Sequence, residues 1–512
     1  ECDAAEILEA RSIINPVQAV SCNELAYLKN ASEACIVCER GPRHLDTCLA
    51  QQHLWTVSPN TRPMGADSES PTVRDQFRQF FALERDVLVL SLAMFAFSLG
   101  FQMTSRYLPE YMSALGASGF VIGLFGTFGN VISALYPYPG GAISDRLGSR
   151  YALTLFGLVS TLGFAIWFVA PNVGTIEIAG VVVEPWIWLF VGLVFAQAWK
   201  SFGLGATFAV VKQATDPSRL ASGFASTETF RRTAFLIGPV LAAVLIGLHP
   251  DFTVSFQYVL AVGVAFGLLG TLVQHVLYDA SEDTFGDSFE GIDQIQRDLR
   301  EMPGELRPLL VADTLVRFAN GMVYVFWVLV ITQFYGVGFD VSGSIAGFVY
   351  DISLSPEAFF GYLLGVEMLV ALVTMAPAAR IAERVGLKPV VAVGFAVYGA
   401  FPVVLIAGPE VLASAMPLQW AMVLIFAFSG LRFAGLPSHK ALIVGPAEQG
   451  AGGRVTGTYY LLRNTIVIPS AALGGYLWDF VSPEVAFTLA AVIGLVGTGY
   501  FLVFGEEFDA YA

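Results

Sequence analysis

Long apolar runs separated by short polar stretches dominate the chain from residue 86 to residue 504. A helix of about 20 consecutive apolar residues is long enough to cross the hydrocarbon core of a bilayer. Twelve runs reach that length, and they are 86–107, 118–140, 151–170, 186–210, 224–248, 254–277, 308–333, 356–379, 389–408, 418–438, 456–478 and 484–504. The pattern predicts an all-α polytopic membrane protein with twelve transmembrane helices.

The polar stretches between these runs define the predicted organisation of the chain. We expect a poorly ordered extension over 1–63, a cytoplasmic segment over 64–85 that starts at Met64, a six-helix bundle over 86–277, an acidic cytoplasmic linker over 278–307, a second six-helix bundle over 308–504, and a cytoplasmic tail over 505–512. Apolar residues recur at helical spacing in the linker. This spacing fits either an amphipathic helix on the membrane surface or a simple solvated connector.

The composition agrees with a protein whose main partner is the lipid bilayer. Hydrophobic residues make up 55% and charged residues only 13% of the chain, whereas soluble domains contain about 25% charged residues. The net charge of −15 lies in loops and termini, and it excludes nucleic-acid binding, which needs a basic face. All five cysteines lie between Cys2 and Cys48, and Cys35-x-x-Cys38 has no second pair of suitable spacing, so no metal site is predicted.

Lysine and arginine residues are unevenly distributed between alternate loops. If the N-terminus is cytoplasmic, the cytoplasmic loops hold Arg146, Arg150, Lys212, Arg219, Arg297, Arg300, Arg384, Lys388, Lys440 and Arg454. Near the opposite face the basic residue is Arg106, among acidic residues such as Glu110 and Asp340. Because basic loops stay in the cytoplasm, we expect a multi-pass protein of the cell membrane with both termini cytoplasmic.

A compact polar motif, GGAISDRLGSR at 140–150, follows the second apolar run. Its small and charged residues are Gly141, Asp145, Arg146, Gly148 and Arg150, and a related pattern returns 238 residues later as Ala379, Glu383, Arg384, Gly386 and Lys388. Small residues let helices approach closely, and an aspartate can bind a helix N-terminus. A further repeat, offset by 232 residues, pairs Lys200 with Arg432 and Arg231 with Arg463. The two halves of the chain are therefore predicted to be duplicates.

The motif resembles the signature loop of the major facilitator superfamily, G-x-x-x-D-R-x-G-R-R/K, with Ser149 in place of a basic residue. The resemblance extends over about residues 80–505. It implies the fold of that superfamily, two six-helix bundles in parallel repeat, and secondary transport by alternating access. It also implies that both motif copies act as gating loops, which latch the halves together on the cytoplasmic side when the carrier faces outward.

Charged residues inside the predicted helices mark candidate substrate and coupling sites, because a charge within a bilayer is costly. They are Lys200, Glu228, Arg231, Arg232, Asp313, Arg317, Glu367, Arg432 and Arg463. Glu367 has no opposite charge within four residues. It is the first candidate for a carboxyl that takes up and releases a coupling proton, unless it pairs with another helix. Asp313 is the second candidate.

For other charged residues, the sequence spacing predicts a partner on the same helix. Asp313 and Arg317 are four residues apart on one helix face, as are Glu228 and Arg232, which predicts intrahelical pairs. A substrate or gate contact is the alternative for Asp313 and Arg317. The resemblance implies that Lys200 is the basic residue of a family motif linked to proton coupling. The alternative is a structural role for Lys200, either in an ion pair or with a side chain that extends to the membrane surface.

Secondary transport is favoured over other functions. The five histidines are scattered and the sequence holds no recognisable catalytic or metal-ligating motif, which argues against a membrane-embedded enzyme. No G-x-x-x-x-G-K-[ST] motif supports a primary pump. A channel or a sensor with the same fold is the remaining alternative.

The first expectation for the function is proton-coupled efflux of a drug or metabolite by an antiporter, with sodium as the alternative coupling ion. The alternative is uptake of an anionic or polar metabolite, because basic residues outnumber acidic ones inside the predicted helices. We expect a monomer that carries a small-molecule substrate and has no catalytic residue, cofactor or metal.

Overall fold

The structure, a computed structural model, describes residues 85–136, 143, 146–178, 180–200, 220–278, 297, 300, 304–345, 348–444 and 452–507. All of these residues lie in one compact unit. Several predicted regions lie outside the described residues, namely the extension 1–63, the segment 64–85 apart from Arg85, most of the linker 278–307, and the tail from residue 508.

The described part of the first half contains seven helices. They are α1 (Arg85–Ser105), α2 (Leu108–Ala114), α3 (Gly119–Leu135), α4 (Ser149–Val173), α5 (Ile187–Ala196), α6 (Leu220–Ile246) and α7 (Phe252–Leu277). Ser118 and Asp251 precede α3 and α7, and each side chain accepts a hydrogen bond from the backbone N–H three residues later. Such caps satisfy amides that have no partner within the helix, and they fix where each helix begins.

The described part of the second half contains eight helices. They are α8 (Leu306–Val323), α9 (Pro356–Val385), α10 (Leu387–Leu412), α11 (Leu418–Gly430), α12 (Leu436–Val444), α13 (Gly452–Val467), α14 (Ser470–Phe480) and α15 (Pro483–Phe504). Irregular helical turns extend α8 to Phe334. Ser355 and Ser482 cap α9 and α15, each of which begins with proline, a residue whose missing N–H costs nothing at a first helical position.

The described helices follow the predicted apolar runs. Eight stretches are long and apolar enough to cross a membrane, and three more are apolar but shorter. These coincide with all of the predicted runs except 456–478, which is divided between α13 and α14 at Ile468 and Pro469. The break has a local cause, since proline has no N–H to donate and restricts the residue before it. The all-α membrane fold is confirmed, and the count of twelve spans stays a prediction.

Two antiparallel hairpins, which the apolar pattern does not predict, connect helices at one end of the bundle. β1 (Ile176–Ile178) pairs with β2 (Val181–Val183), and β3 (Phe339–Ile345) pairs with β4 (Phe348–Leu354). These stretches are rich in β-branched residues, which favour strands, and are too short to be separate spans. We call this end of the bundle the hairpin end, and the end where Gly148 and Gly386 precede α4 and α10 the motif end.

The two motif copies share a backbone conformation. Gly148 has φ 78° and ψ 153°, and Gly386 has φ 93° and ψ 163°, a region in which any residue other than glycine is strained. At the second copy the amides of Leu387 and Lys388 both donate to the Glu507 carboxylate at 2.9 Å. The shared conformation agrees with the predicted duplication.

Among the described helices, the most extensive contacts between the halves are those of α3 with α14 and of α6 with α9. Both contacts depend on glycine. A Cβ on Gly123 would collide with the backbone of α14 near Gly475, and a Cβ on Gly361 would lie 2.6 Å from the carbonyl oxygen of Pro239. Small residues therefore let these helices approach more closely than side chains would allow.

Candidate functional site

A cavity lies between the two halves. The first half contributes Gln102 from α1 and Arg106, which directly follows that helix. The second half contributes Tyr324, Glu367 and Arg432. The cavity therefore brings charged residues from both halves of the chain to one place.

Glu367 lies on α9 and its side chain is 0% exposed. Its Oε1 atom contacts the Nη2 atom of Arg432 and accepts a hydrogen bond of 2.8 Å from the hydroxyl of Ser429. Its Oε2 atom lies 3.8 Å from Nη2 of Arg106. The expectation that Glu367 is isolated is wrong, and the alternative of a partner on another helix is correct. The partners lie far away in the sequence, so a search within four residues does not find them.

Arg106 and Arg432 keep unused hydrogen-bond donors in this cavity. Arg432 packs over the ring of Trp327 at 4.5 Å, and Arg106 packs over the ring of Tyr324 at 3.8 Å. The Nη1 atoms of both arginines are buried and have no hydrogen-bond partner among the described residues. A guanidinium carries five N–H donors, and an anion is the natural partner of those that remain. The pair therefore forms a candidate anion site beside Glu367.

A second buried carboxylate, Asp313 on α8, has partners of a different origin. It is 0% exposed and forms the predicted pair with Arg317, whose Nε lies 3.2 Å from Oδ1. Its Oδ2 atom lies 2.9 Å from Nη1 of Arg463 and 3.4 Å from Nε2 of His439, and it accepts a hydrogen bond of 3.1 Å from the hydroxyl of Tyr459. All four partners belong to the second half.

A second polar cavity adjoins the first. It shares Arg317, Asn320 and Tyr324 with the first cavity, and it adds Asn130 and Arg463 among its lining residues. Arg317 also donates a hydrogen bond of 3.1 Å from Nη1 to the hydroxyl of Tyr398. The two cavities thus meet at Arg317, so the two carboxylate clusters border a common region.

Positive charge exceeds negative charge around this region. Four described arginines line the two cavities, namely Arg106, Arg317, Arg432 and Arg463. The carboxylates that face them in the described structure are Glu367 and Asp313. The region around the two cavities therefore has an excess of two formal positive charges over these carboxylates, which favours a negatively charged ligand.

The structure places the other predicted site residues apart from this cavity. Lys200 is exposed, with its Nζ 4.4 Å from the centroid of the Phe101 ring, and it lines a separate pocket in the first half. The gating-loop residues Arg146, Gly148, Arg150, Glu383, Arg384, Gly386 and Lys388 lie at the motif end. Gly141, Asp145 and the side chains of Glu228 and Arg231 lie outside the described residues.

Arg106 is the main site residue that the sequence reasoning did not select. It falls within the predicted run 86–107, so the rule that selects charges inside spans applies to it. Its position near a span end suggested a residue of the membrane surface. In the structure the Arg106 side chain is instead only 10% exposed, and it lies beside Glu367.

Asp479 joins the halves at the hairpin end and was also not selected. Its carboxylate accepts hydrogen bonds of 3.0 and 2.7 Å from the amides of Gly119 and Phe120, the first two residues of α3. Unpaired amides and the helix dipole make a helix N-terminus a favourable site for a carboxylate. Because Asp479 lies at the end of α14, this contact fastens the second half to the first.

Glu110 makes another contact between the halves at this end. It lies on α2, beyond the membrane-spanning part of α1, and is 8% exposed. Thr332 donates a hydrogen bond of 2.6 Å to its Oε2, and Gln333 donates to both of its oxygens. Burial raises the pKa of the Glu110 carboxyl, the hydrogen bonds from Thr332 and Gln333 partly oppose that rise, and the nearby Glu357 adds to it.

The family comparison matches the Major Facilitator Superfamily over residues 90–355. Two curated relatives are uncharacterized MFS-type transporters of Mycobacterium tuberculosis, each 28% identical over 191 residues. The match covers 37% of this chain and 41% of each relative, so the chain spans about two fifths of the length of these relatives.

Solved structures give the same fold. A POT family transporter in complex with a thioalcohol-conjugated peptide has a TM-score of 0.62 at 13% identity, and the alignment covers 83% of this chain and 98% of that one. The nucleoside transporter NupG has a TM-score of 0.60 at 12% identity, with 82% of this chain and 98% of that one covered. The chain therefore belongs to the Major Facilitator Superfamily and is a multi-pass membrane protein.

Proposed function

We propose that this protein is a secondary active transporter that moves a small organic anion across the cytoplasmic membrane by alternating access. The observation that carries the proposal is the cavity between the halves, where the Nη1 donors of Arg106 and Arg432 have no described partner. This charge pattern favours the anionic solute, the second choice from sequence, over a lipophilic drug. A lipophilic ligand without an acceptor group would leave these buried Nη1 donors unsatisfied.

Glu367 is the proposed coupling residue, because its carboxylate and the substrate anion would compete for the same two arginines. When it is ionised, its carboxylate occupies Arg432 and faces Arg106. When it takes up a proton it loses its negative charge, and both guanidinium groups become available to the substrate anion. A proton and an anion would then enter the site together, which makes the transport a symport.

The hairpin-end contacts fit one state of this cycle. Asp479 with the N-terminus of α3, and Glu110 with Thr332 and Gln333, join the halves there. The distribution of lysine and arginine places the motif end in the cytoplasm. The conformation would therefore be closed to the outside, and return to an outward-facing state would require these contacts to break.

Ligands of proteins with this fold are compatible with an anionic substrate. Solved POT-family structures contain a peptide conjugate, 5-aminolevulinic acid or sulfate. Of these ligands, 5-aminolevulinic acid and sulfate are acidic. The identity of 13–15% shows only that the fold accommodates such molecules.

Transport by proteoliposomes tests the proposal. The purified protein is reconstituted, and uptake of a panel of radiolabelled small carboxylates and sulfonates is measured with and without an inward proton gradient, after subtraction of the leak into protein-free vesicles. We expect at least one anion to accumulate only with the gradient. Accumulation driven equally well by a sodium gradient would reject Glu367 as a proton site. Flux that never saturates would indicate a channel, and absence of flux under every gradient would indicate a sensor.

A further inference from the structure

A third pocket lies in the first half of the bundle. Aromatic and apolar side chains make up most of its lining, namely Met94, Phe97, Phe101, Phe164, Trp199 and Phe235, and the polar residues Ser98, Gln102, Ser160 and Lys200 complete it. Phe97 and Trp199 are stacked, with ring centroids 4.4 Å apart and an interplanar angle of 13°. The ring faces of this pocket suit a flat aromatic group.

The pocket adjoins the arginine cavity. Gln102 and Phe235 line both spaces. Along α1 and the turn that follows it, Gln102 and Arg106 are four residues apart, which corresponds to about 6 Å at the helical rise of 1.5 Å per residue. A ligand whose acidic group and aromatic ring are about this distance apart can therefore place one end near Arg106 and the other in the aromatic pocket.

One residue that lines the aromatic pocket has a hydrogen-bond donor that a ligand could satisfy. Trp199 is 7% exposed, and its indole Nε1 is buried without a hydrogen-bond partner among the described residues. A buried donor left without a partner is unfavourable. A weak acceptor on the ligand's apolar body, such as a phenolic oxygen, would satisfy it.

We infer that the transported molecule is an amphipathic organic anion, with its acidic head between Arg106 and Arg432 and an aromatic body in the pocket formed by Phe97, Phe101 and Trp199. This inference rests on the proposed function, since it names the substrate class of the same site. It assigns the two ends of the substrate to different parts of the protein. The head binds between the halves, and the body binds within the first half.

Binding of three related probes tests the inference. Calorimetric titration of the purified full chain compares 3-phenylpropionate, which has both parts, with propionate, which has only the head, and 3-phenyl-1-propanol, which has only the body. We expect 3-phenylpropionate to bind at least ten times more tightly than either partial probe. Equal affinity for the two carboxylates would overturn the inference and leave the proposed anion carrier intact. Binding of the alcohol alone would overturn both.

Two phenylalanine substitutions on α1 provide a matched comparison. Phe101→Ala removes a half-buried ring that lines the pocket, whereas Phe95→Ala removes a half-buried ring on the same helix that does not line it. We expect Phe101→Ala to weaken 3-phenylpropionate about ten-fold and to leave propionate unchanged, and Phe95→Ala to alter neither. If the two variants behave alike, the pocket does not hold the body.

A third variant keeps the assignment testable if Phe101→Ala does not fold. Trp199→Phe retains an aromatic ring and removes the unpartnered N–H. We expect it to reduce the preference for 3-(4-hydroxyphenyl)propionate over 3-phenylpropionate by several-fold without affecting propionate. An unchanged preference would show that the ring of the ligand does not reach Trp199.

Discussion

Glu367 and Asp313 are both fully buried carboxylates of the second half, yet they differ in what holds them. Asp313 is surrounded by Arg317, Arg463, His439 and Tyr459, all from its own half. Glu367 has Arg432 from its own half and Arg106 from the other. A movement between the halves would leave the Asp313 cluster intact and would alter the surroundings of Glu367. The comparison separates a structural carboxylate from one that can respond to transport.

The largest expected effect is loss of stability at Asp313. Asp313→Asn removes the negative charge that Arg317 and Arg463 share, and breaking a buried ion pair costs about 3–5 kcal/mol. We expect a clearly lower melting temperature in detergent than for the unchanged protein. Glu383→Gln, at an exposed position, serves as the control and is expected to change stability little. An unchanged melting temperature of Asp313→Asn would remove the distinction between the two carboxylates.

The next effect concerns transport rather than folding. We expect Glu367→Gln to lower proton-driven accumulation by about ten-fold or more, since the neutral amide cannot take up a proton and leaves the arginines permanently available. Its stability should fall less than that of Asp313→Asn, because a bound anion can replace the lost charge in the cavity. Added substrate anion should therefore raise its melting temperature more than that of the unchanged protein. Accumulation at the normal level would reject Glu367 as the coupling group.

A steric substitution at the hairpin end should separate the halves without touching either carboxylate. Gly123→Val places methyl groups where the backbone of α14 lies, so α3 and α14 cannot stay in contact. In a variant without the native cysteines, spin labels at the exposed residues Val182 and Ile352 report the distance between the two hairpins. We expect longer distances in Gly123→Val. Gly499→Ala, where a Cβ meets nothing within 4 Å, is the matched control.

The smallest expected effect is a pH dependence of the same distance. Burial raises the pKa of Glu110 in the closed state. The stabilisation of that state is therefore complete below the carboxyl's ordinary pKa, and it is lost as the pH rises through the raised value. Spin-label distances should shift toward the open state when the pH is increased over this range. Glu110→Gln should remove the dependence, and a dependence that persists in this variant would point to another group.

Local sequence patterns predict much of the fold and only part of the site. The apolar runs locate the helices, and the four-residue spacing of Asp313 and Arg317 predicts their contact, because both depend on neighbours along one helix. The contact of Glu367 with Arg432 joins residues 65 positions apart, and no periodicity encodes such a pair. The 232-residue repeat marked Arg432 as equivalent to Lys200, yet in the structure Arg432 is buried against a carboxylate and Lys200 is exposed.

Other features depend on backbone geometry that side-chain patterns do not record. Asp479 lies near the end of a predicted run, where an acidic residue is unremarkable. Its importance comes from the two amides at the start of α3 that face it. The hairpins form in stretches between spans, where β-branched residues favour strands over irregular loops.

The bond between Asp479 and α3 has an evolutionary consequence. Because its donors are backbone amides, nearly any residue at position 120 can supply the same contact. Position 119 must stay glycine, because a Cβ there would lie 2.5 Å from the Asp479 carboxylate. A comparison of related chains would therefore show one acidic residue and one glycine, with no co-varying partner between them. The residues that line the cavities can then diversify while the contact between Asp479 and α3 is kept.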